Sequence, residues 1–179
     1  LAGGEPGRRY AQPVVLTDVV RTAAAEIEAY ARVDAPAAED VWVAAHAVRD
    51  IVHLLAELLD NATAFSPPHT RVRVLIQDDG DAATLSIIDS GIGMSDEQIA
   101  EANRRLTQPI HLTSDLVGTM GLLVVARLAA RHGVHVRLGR GPMGGTIAEV
   151  RLPGELLVAT PPGAVPRLRL RPTTPVRAI

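Results

Sequence analysis

Asp50-Ile51-Val52-His53-Leu54-Leu55-Ala56-Glu57-Leu58-Leu59-Asp60-Asn61-Ala62-Thr63-Ala64-Phe65 is an apolar helical pattern crossed by a single polar line. At 3.6 residues per turn Glu57 and Asn61 stack one above the other with Asp60 beside them, and Asp50, His53 and Ala64 continue the stripe. Val48, Ile51, Val52, Leu55, Leu58, Leu59 and Ala62 cover the remaining faces. A helix buried over most of its circumference should not carry a carboxylate–amide line unless that line faces a pocket. Each unpaired buried polar group costs ~1–3 kcal/mol. An Asn carbonyl oxygen suits Mg²⁺, and Glu57, one turn away, is placed to orient or deprotonate a water or another nucleophile. A solvated helix face is the alternative reading of the same residues.

Outward from this stretch, the helix is predicted from about Ala45 to Phe65, stopped by Ser66-Pro67-Pro68. Upstream, Thr17 reads as the N-cap of a helix patterned through Val20, Ala24, Ile27 and Ala31, and Val41 to Ala44 as a short strand. Downstream, Arg71 to Gln77 alternates with Val72, Val74 and Ile76 on one face. Leu85 to Ile88 follows Asp79-Gly80, which makes an antiparallel hairpin. Ser95-Asp96-Glu97-Gln98 has the form of a capping box for a helix near 96–106. Residues 107–119 read as a long loop, and Met120 to His132 as a helix stopped by Gly133. Val134 to Leu138 and Thr146 to Leu152 form a second strand pair around the turn Gly139 to Gly145. Residues 1–13 read as a loop. In the Pro/Arg-rich tail, 154–179, Leu168 and Leu170 alternate with Arg167, Arg169 and Arg171, as an edge strand or a flexible basic linker.

Composition bounds the chemistry. The length suits one domain, and the core must come from Leu, Val, Ile and Ala, because the chain has one Trp, one Phe and two Tyr. A formal charge of −2 argues against a broad nucleic-acid-binding surface. All 18 basic residues are Arg, which removes Schiff-base and P-loop lysines. The lack of Cys removes disulfides, thiol nucleophiles and thiolate metal sites. No apolar run approaches the ~20 residues of a membrane span, and Leu1 to Tyr10 is unlike a signal peptide. The start at Leu1 rather than Met implies a fragment of a longer protein.

Two glycine turns complete the signal. Asp89-Ser90-Gly91-Ile92-Gly93-Met94 follows an apolar strand, offering a carboxylate acceptor and a backbone that a planar ligand can approach. Gly118-Thr119-Met120-Gly121-Leu122 opens a helix whose N–H groups can receive phosphate. Gly144-Gly145-Thr146 enters a strand. Each is weak alone; their order and spacing are specific.

Together, over residues 14–153, they resemble the ATP-binding (Bergerat-type) domain shared by DNA gyrase, MutL, the large heat-shock chaperones and histidine kinases. Glu57-x-x-Asp60-Asn61-Ala62 looks like the N box, Asp89-x-Gly91-x-Gly93 the G1 box, Gly118 to Leu122 the G2 box and Gly145-Thr146 the G3 region. The longer matches, His53 to Pro68, Gly91 to Ser95, Glu101 to Arg105 and Gly121 to Gly133, resemble actinobacterial sensor-like histidine kinases most. The resemblance implies an α+β fold, a two-layer α/β sandwich whose mixed, mostly antiparallel sheet is covered on one face by helices. It implies that ATP and Mg²⁺ are the cofactors and that Asn61 binds Mg²⁺. Asp89 would accept from the adenine amino group, with Asp60 beside Asn61 in the nucleotide site. Gly91 and Gly93 would shape the adenine wall, and Met94 would flank the nucleotide pocket or simply fill a gap. Gly118, Thr119, Met120, Gly121 and Leu122 would cover the phosphates as a lid, and Thr146 would support the adenine side. Glu57 falls where gyrase-type ATPases keep their general base.

The implied function is the catalytic domain of a cytoplasmic two-component histidine kinase, or of the cytoplasmic part of a membrane-bound sensor. The γ-phosphoryl group would pass to a His on a dimerisation domain outside this fragment, and a response regulator would be the further partner. The sequence departs from the kinase pattern at Ala64, where a basic residue commonly reaches phosphate, and at Thr119-Met120, where more glycine is usual. Arg104, Arg105 or Arg71 is left as a substitute phosphate contact. An anti-sigma-type Ser/Thr kinase or water-activating ATPase, and a non-catalytic ATP-sensing module, are the alternative readings. Among the histidines, His53 reads as a phosphate contact or a satisfied polar group, and His132 as a dipole-compensating residue at a helix end. His46 is not an obvious phosphoacceptor, and His111 falls in the lid.

Overall fold

The computed structural model describes residues 10–36, 40–107, 120–142 and 144–161, with Met120 described by its backbone alone. The strands are β1 (Val14–Val15), β2 (Val33–Asp34), β3 (Trp42–Val43), β4 (Val72–Asp78), β5 (Ala82–Ile88), β6 (His135–Arg140), β7 (Thr146–Pro153) and β8 (Leu157–Val158). The helices are α1 (Leu16–Ala25), α2 (Ala45–Ala64), α3 (Asp96–Thr107) and α4 (Met120–His132). A five-stranded sheet runs β2-β4-β5-β7-β6. It is parallel at β2–β4 and antiparallel elsewhere. This is the expected two-layer plan, with α2 packed on β4 and β5, and α3 and α4 on β6.

Period-two patterning builds the sheet's inner face. Ala83, Leu85 and Ile87 of β5 stand opposite Leu152, Val150 and Ala148 of β7, and all six are buried. Val72 and Val74 of β4 join that face. Against it lies α2, with Ile51, Leu54, Leu55, Leu58 and Leu59 almost wholly buried. Each such side chain contributes ~1.5–3 kcal/mol of burial, so α2 is the core's main element. Its polar line stays out of the core: His53 and Asp60 are exposed, while Asp50, Glu57 and Asn61 are half-buried.

The α3 capping box forms as read, with Gln98 N donating to Ser95 Oγ at 3.2 Å and Ser95 N to Gln98 Oε1 at 2.8 Å. Gly133, at φ +63°, ends α4, and Val134 N returns to Ala129 O at 2.9 Å.

Several local readings are corrected. Thr17 is not an N-cap: α1 begins at Leu16 after Val15, which makes no side-chain cap, and Leu16 N donates instead to Val41 O at 2.7 Å. Pairing of β1 with β3 draws the chain onto a strand just before the helix, so the backbone takes over the capping. Thr17 is left wholly buried, its Oγ1 without a partner among the described residues. The helix also stops at Ala25; Ile27 stays buried in the following turn, and Ala31 lies in a 3₁₀ turn, Tyr30–Arg32. Past Pro153, Leu157 and Val158 pair with β3, the short strand read at Val41 to Ala44, completing a small sheet ordered β1-β3-β8 whose other two strands the sequence did not signal. The Arg-Leu alternation at 167–171 lies outside the described residues. Among the described residues no helix is long and apolar enough to cross a membrane.

His132 does more than offset a dipole. Its Nε2 lies 2.8 Å from Asp50 Oδ2, which also accepts from Arg131 Nη1 at 2.9 Å, tying the end of α4 to α2. Partial burial pushes the Asp50 carboxyl up, but the hydrogen bonds and charges of His132 and Arg131 outweigh it and hold the group below its ordinary value. A carboxyl lowered in the folded state stabilises at neutral pH, and that stabilisation is lost as pH falls through its folded value. Asp50→Asn should therefore cost about 1–2 kcal/mol at neutral pH. The difference from the unaltered chain should persist above the ordinary aspartate range and shrink below it, as urea titrations down to about pH 3 will measure.

Candidate functional site

Between α2, the β5–β7 floor and the segment after β5 lies a cleft of about 340 Å³. Leu58, Asn61, Ala62 and Phe65 line it from α2 and its end, and Ile87, Ala148 and Leu138 from the sheet. Asp89, Thr146, Ile92, Gly93, Met94, Gln98 and Leu122 complete it. Most of this lining is apolar, with a few polar groups converging on it, the usual make-up of a small-molecule site.

Asp89 is the one ionisable side chain among the buried described residues, only 6% exposed. A carboxylate survives such burial when hydrogen bonds replace its water. Asp89 Oδ1 accepts from Gly91 N at 2.7 Å and Thr146 N at 3.1 Å, and Asp89 N donates to Thr146 O at 3.0 Å. This arrangement locks the end of β5 to the start of β7. Among the described residues no hydrogen bond engages Oδ2, so an acceptor remains beside the cleft that Asp89 lines.

At the other end, α4 begins against α2's polar line. A Cβ on Gly121 would stand 3.0 Å from Glu57 Oε2 and 3.3 Å from Asn61 Nδ2. Glu57 Oε1 is 3.4 Å from His53 Nε2. Glu57 Oε2 and the Asn61 side-chain amide, its Nδ2 nearer than its Oδ1, thus border the first turn of a helix whose N–H groups favour anions. Among the described residues no group of three or more His, Asp or Glu could hold a metal. That donor set fits Mg²⁺, which takes one or two protein ligands and completes its shell with phosphate oxygens and water.

Asn61, Asp89, Gly93, Met94, Leu122 and Thr146 therefore meet at one cleft as read from sequence. Glu57 and Gly121 stand beside Asn61. Asp60 does not join them: it is exposed and lines no part of the cleft, since its position turns it one step off the Glu57–Asn61 row. Gly91 lies behind the wall, packed on the Phe65 carbonyl. Gly118 and Thr119 lie outside the described residues, as does His111. The three substitute arginines are engaged elsewhere: Arg104 and Arg105 with Glu101 at 2.5 and 2.7 Å, Arg71 with Asp34 at 2.6 Å. The Arg105 hydrogen bond holds the Glu101 carboxyl below its usual range, and that of Arg71 does the same for Asp34.

Three residues at the site were not foreseen. Asn103 donates to Leu138 O at 2.9 Å and accepts from Leu138 N at 2.8 Å, so its amide pairs with β6 as a strand would and fixes α3 beside the cleft. Phe65 and Ile92, 63% and 93% exposed, border the cleft as bare apolar groups. The apolar character of both was visible in sequence, but not their exposure.

The layered architecture and this cleft define a class, the Bergerat fold of nucleotide-binding domains. The chain belongs to the histidine kinase-, DNA gyrase B-, and HSP90-like ATPase family, whose profile matches residues 46–156. It is homologous to sensor histidine kinases, among them the sensor protein QseC of Escherichia coli strain K12, at 34% identity over 97 residues. That match covers 54% of this chain and 20% of QseC, so the chain spans about a fifth of that relative's length. In fold it matches histidine-kinase catalytic domains. The mycobacterial sensor histidine kinase MprB superposes with a TM-score of 0.62 at 23% identity, over 79% of this chain and 97% of that one. Full-length ShkA in complex with AMPPNP gives 0.63 at 22%, over 84% and 32%.

Gly91 and Gly121 make opposite demands. A Cβ at Gly91 would meet backbone, 2.5 Å from Phe65 O, whereas at Gly121 it meets the movable end of Glu57. Gly91→Ala should cost roughly 1–3 kcal/mol in chemical denaturation, and Gly121→Ala well under about 1 kcal/mol.

Proposed function

We propose that this domain binds ATP with Mg²⁺ as the catalytic part of a two-component sensor histidine kinase. It would present the γ-phosphoryl group to a phosphoacceptor His on a dimerisation domain outside this fragment, with a response regulator as the next partner. The observation that carries the reading is the opening of Asn61 and Asp89 onto one cleft, with the first turn of α4 beside Asn61.

In this reading Asp89 Oδ2 accepts from the adenine amino group, and Thr146 and the Gly91 turn hold that carboxylate in place. Gly93 and Met94 form the adenine wall. Asn61 contributes the protein's oxygen to Mg²⁺, whose charge offsets that of the phosphates. Gly118 to Leu122 would cover the phosphates, and since Ala64 offers no cation and the arginines are paired elsewhere, backbone N–H groups at the start of α4 would carry that contact. The catalytic unit is read as residues 14–153, with the 154–179 tail following; the start of that tail carries β8, which pairs back onto β3. The likeness to MprB supports a place among actinobacterial sensor kinases, and a cytoplasmic site of action accords with an ATP-dependent kinase.

A second reading, a water-activating ATPase, is favoured by one observation: Glu57 stands at the α4 turn with His53 beside it. Glu57 then deprotonates or orients the attacking water.

Asp89→Asn keeps an oxygen for Gly91 and Thr146 but turns the free acceptor into a donor. Calorimetry should show Mg–ATP affinity falling by about a hundredfold or more, and an unchanged affinity would refute the assignment. Glu57→Ala separates the two readings. Phosphate release lost in this variant favours hydrolysis, whereas release unaffected, with phosphoryl transfer to an added His-bearing domain, favours the kinase.

A further inference from the structure

Arg32 makes more hydrogen bonds than any other side chain among the described residues. It ends the 3₁₀ turn before β2, and its guanidinium reaches over the C-terminus of α2. Nε donates to Thr70 O at 2.9 Å and Nη1 to Thr63 O at 3.0 Å. Nη2 donates to Pro67 O at 2.8 Å and Ser66 O at 3.3 Å, with Thr70 Oγ1 at 3.5 Å. The last carbonyls of a helix have no intrahelical partner, and the following Pro67 and Pro68 have no N–H to offer. One planar cation answers several carbonyls at once and suits the negative end of the helix dipole.

Phe65 lies between two of the residues so held, Thr63 and Ser66. Its carbonyl presses on the Gly91 turn so closely that a Cβ there would stand 2.5 Å from Phe65 O and 2.9 Å from Asp89 Oδ1. Gly91 N is in turn one of the two donors to Asp89 Oδ1. A continuous run of contacts thus leads from Arg32 through the α2 end and Gly91 to the buried carboxylate.

We infer that Arg32 is a positioning residue for the nucleotide, acting through the Phe65 carbonyl and the Gly91 turn to aim Asp89, and so governing which purine the cleft accepts. The inference rests on the reading of Asp89 as the adenine acceptor. Adenine presents an amino donor where guanine presents a carbonyl, so a fixed carboxylate rejects guanine by setting two acceptors against each other. A carboxylate free to turn loses that discrimination.

The test is calorimetry of Mg–ATP and Mg–GTP on the full 179-residue chain, below the melting temperature, with folding checked by circular dichroism. The unaltered chain should prefer ATP. Arg32→Ala should weaken ATP binding about tenfold or more and bring the ATP:GTP ratio towards one. Arg32→Lys, whose single ammonium cannot span the carbonyls, should also lower the ratio, and it carries the test if the Ala variant does not fold. Val20→Ala, a buried α1 change away from the cleft, should lower the melting temperature and leave the ratio as it was. A folded Arg32→Lys or Arg32→Ala with the original ratio would overturn the inference, as would an equal loss of selectivity in Val20→Ala. An unaltered chain that binds neither nucleotide would overturn the underlying reading of the cleft, and this one with it.

Discussion

Asp89 places a carboxyl group almost out of reach of water, and the surrounding architecture answers to that group's need for hydrogen bonds. A buried carboxylate without partners is far too costly to keep. Here its partners are two backbone amides, from the turn that follows β5 and from the first residue of β7. Satisfying one side chain therefore fixes how the two central strands end and begin, and leaves the second oxygen at the cleft. The apolar floor of Ile87 and Ala148 lies beside it, so the polar group stands out against surroundings that offer a planar ligand little else to bond.

The helical layer is organised by a comparable demand. The polar line of α2 is touched by α4 at both ends: Gly121 meets Glu57 and Asn61, and Arg131 and His132 meet Asp50. The two helices therefore run antiparallel, pinned at one end by an ion pair and at the other by a residue without a side chain. Small size at Gly121 lets the helix start come close to the amide and carboxylate. The distant Asp50 cluster keeps it there without placing further charge in the cleft.

Much of this was legible in the sequence because its signals are local or periodic. The alternation of Val72 and Val74, the Ser95–Gln98 box and the stripe on α2 each fit within a few turns or strand steps. Asn61, Asp89 and Thr146 were found through motifs whose spacing survives without knowledge of the fold. What escaped depends on distance along the chain. Arg32 bonds residues 31 to 38 positions away, and His132 finds Asp50 at a separation of 82. Asn103 pairs with a strand 35 residues on; it falls within the Glu101 to Arg105 match, but nothing local to that match tells which strand its amide would meet. Thr17 misled for the same reason, since the cap it would have supplied came from Val41. Asp60 adjoins Asn61 in the motif, but helical rotation carries it towards solvent. The small sheet has strands of two residues, too short for any periodic pattern.

That small sheet has a mechanical consequence. Val14–Val15 and Leu157–Val158 flank β3 on its two sides, so the first and last strands of the folded unit lie two strand spacings apart, about 10 Å. None of these residues borders the cleft. Within a longer polypeptide such a unit hangs like a pendant from neighbouring threads. Both threads meet it on that one small sheet, whose strands lie away from the pocket.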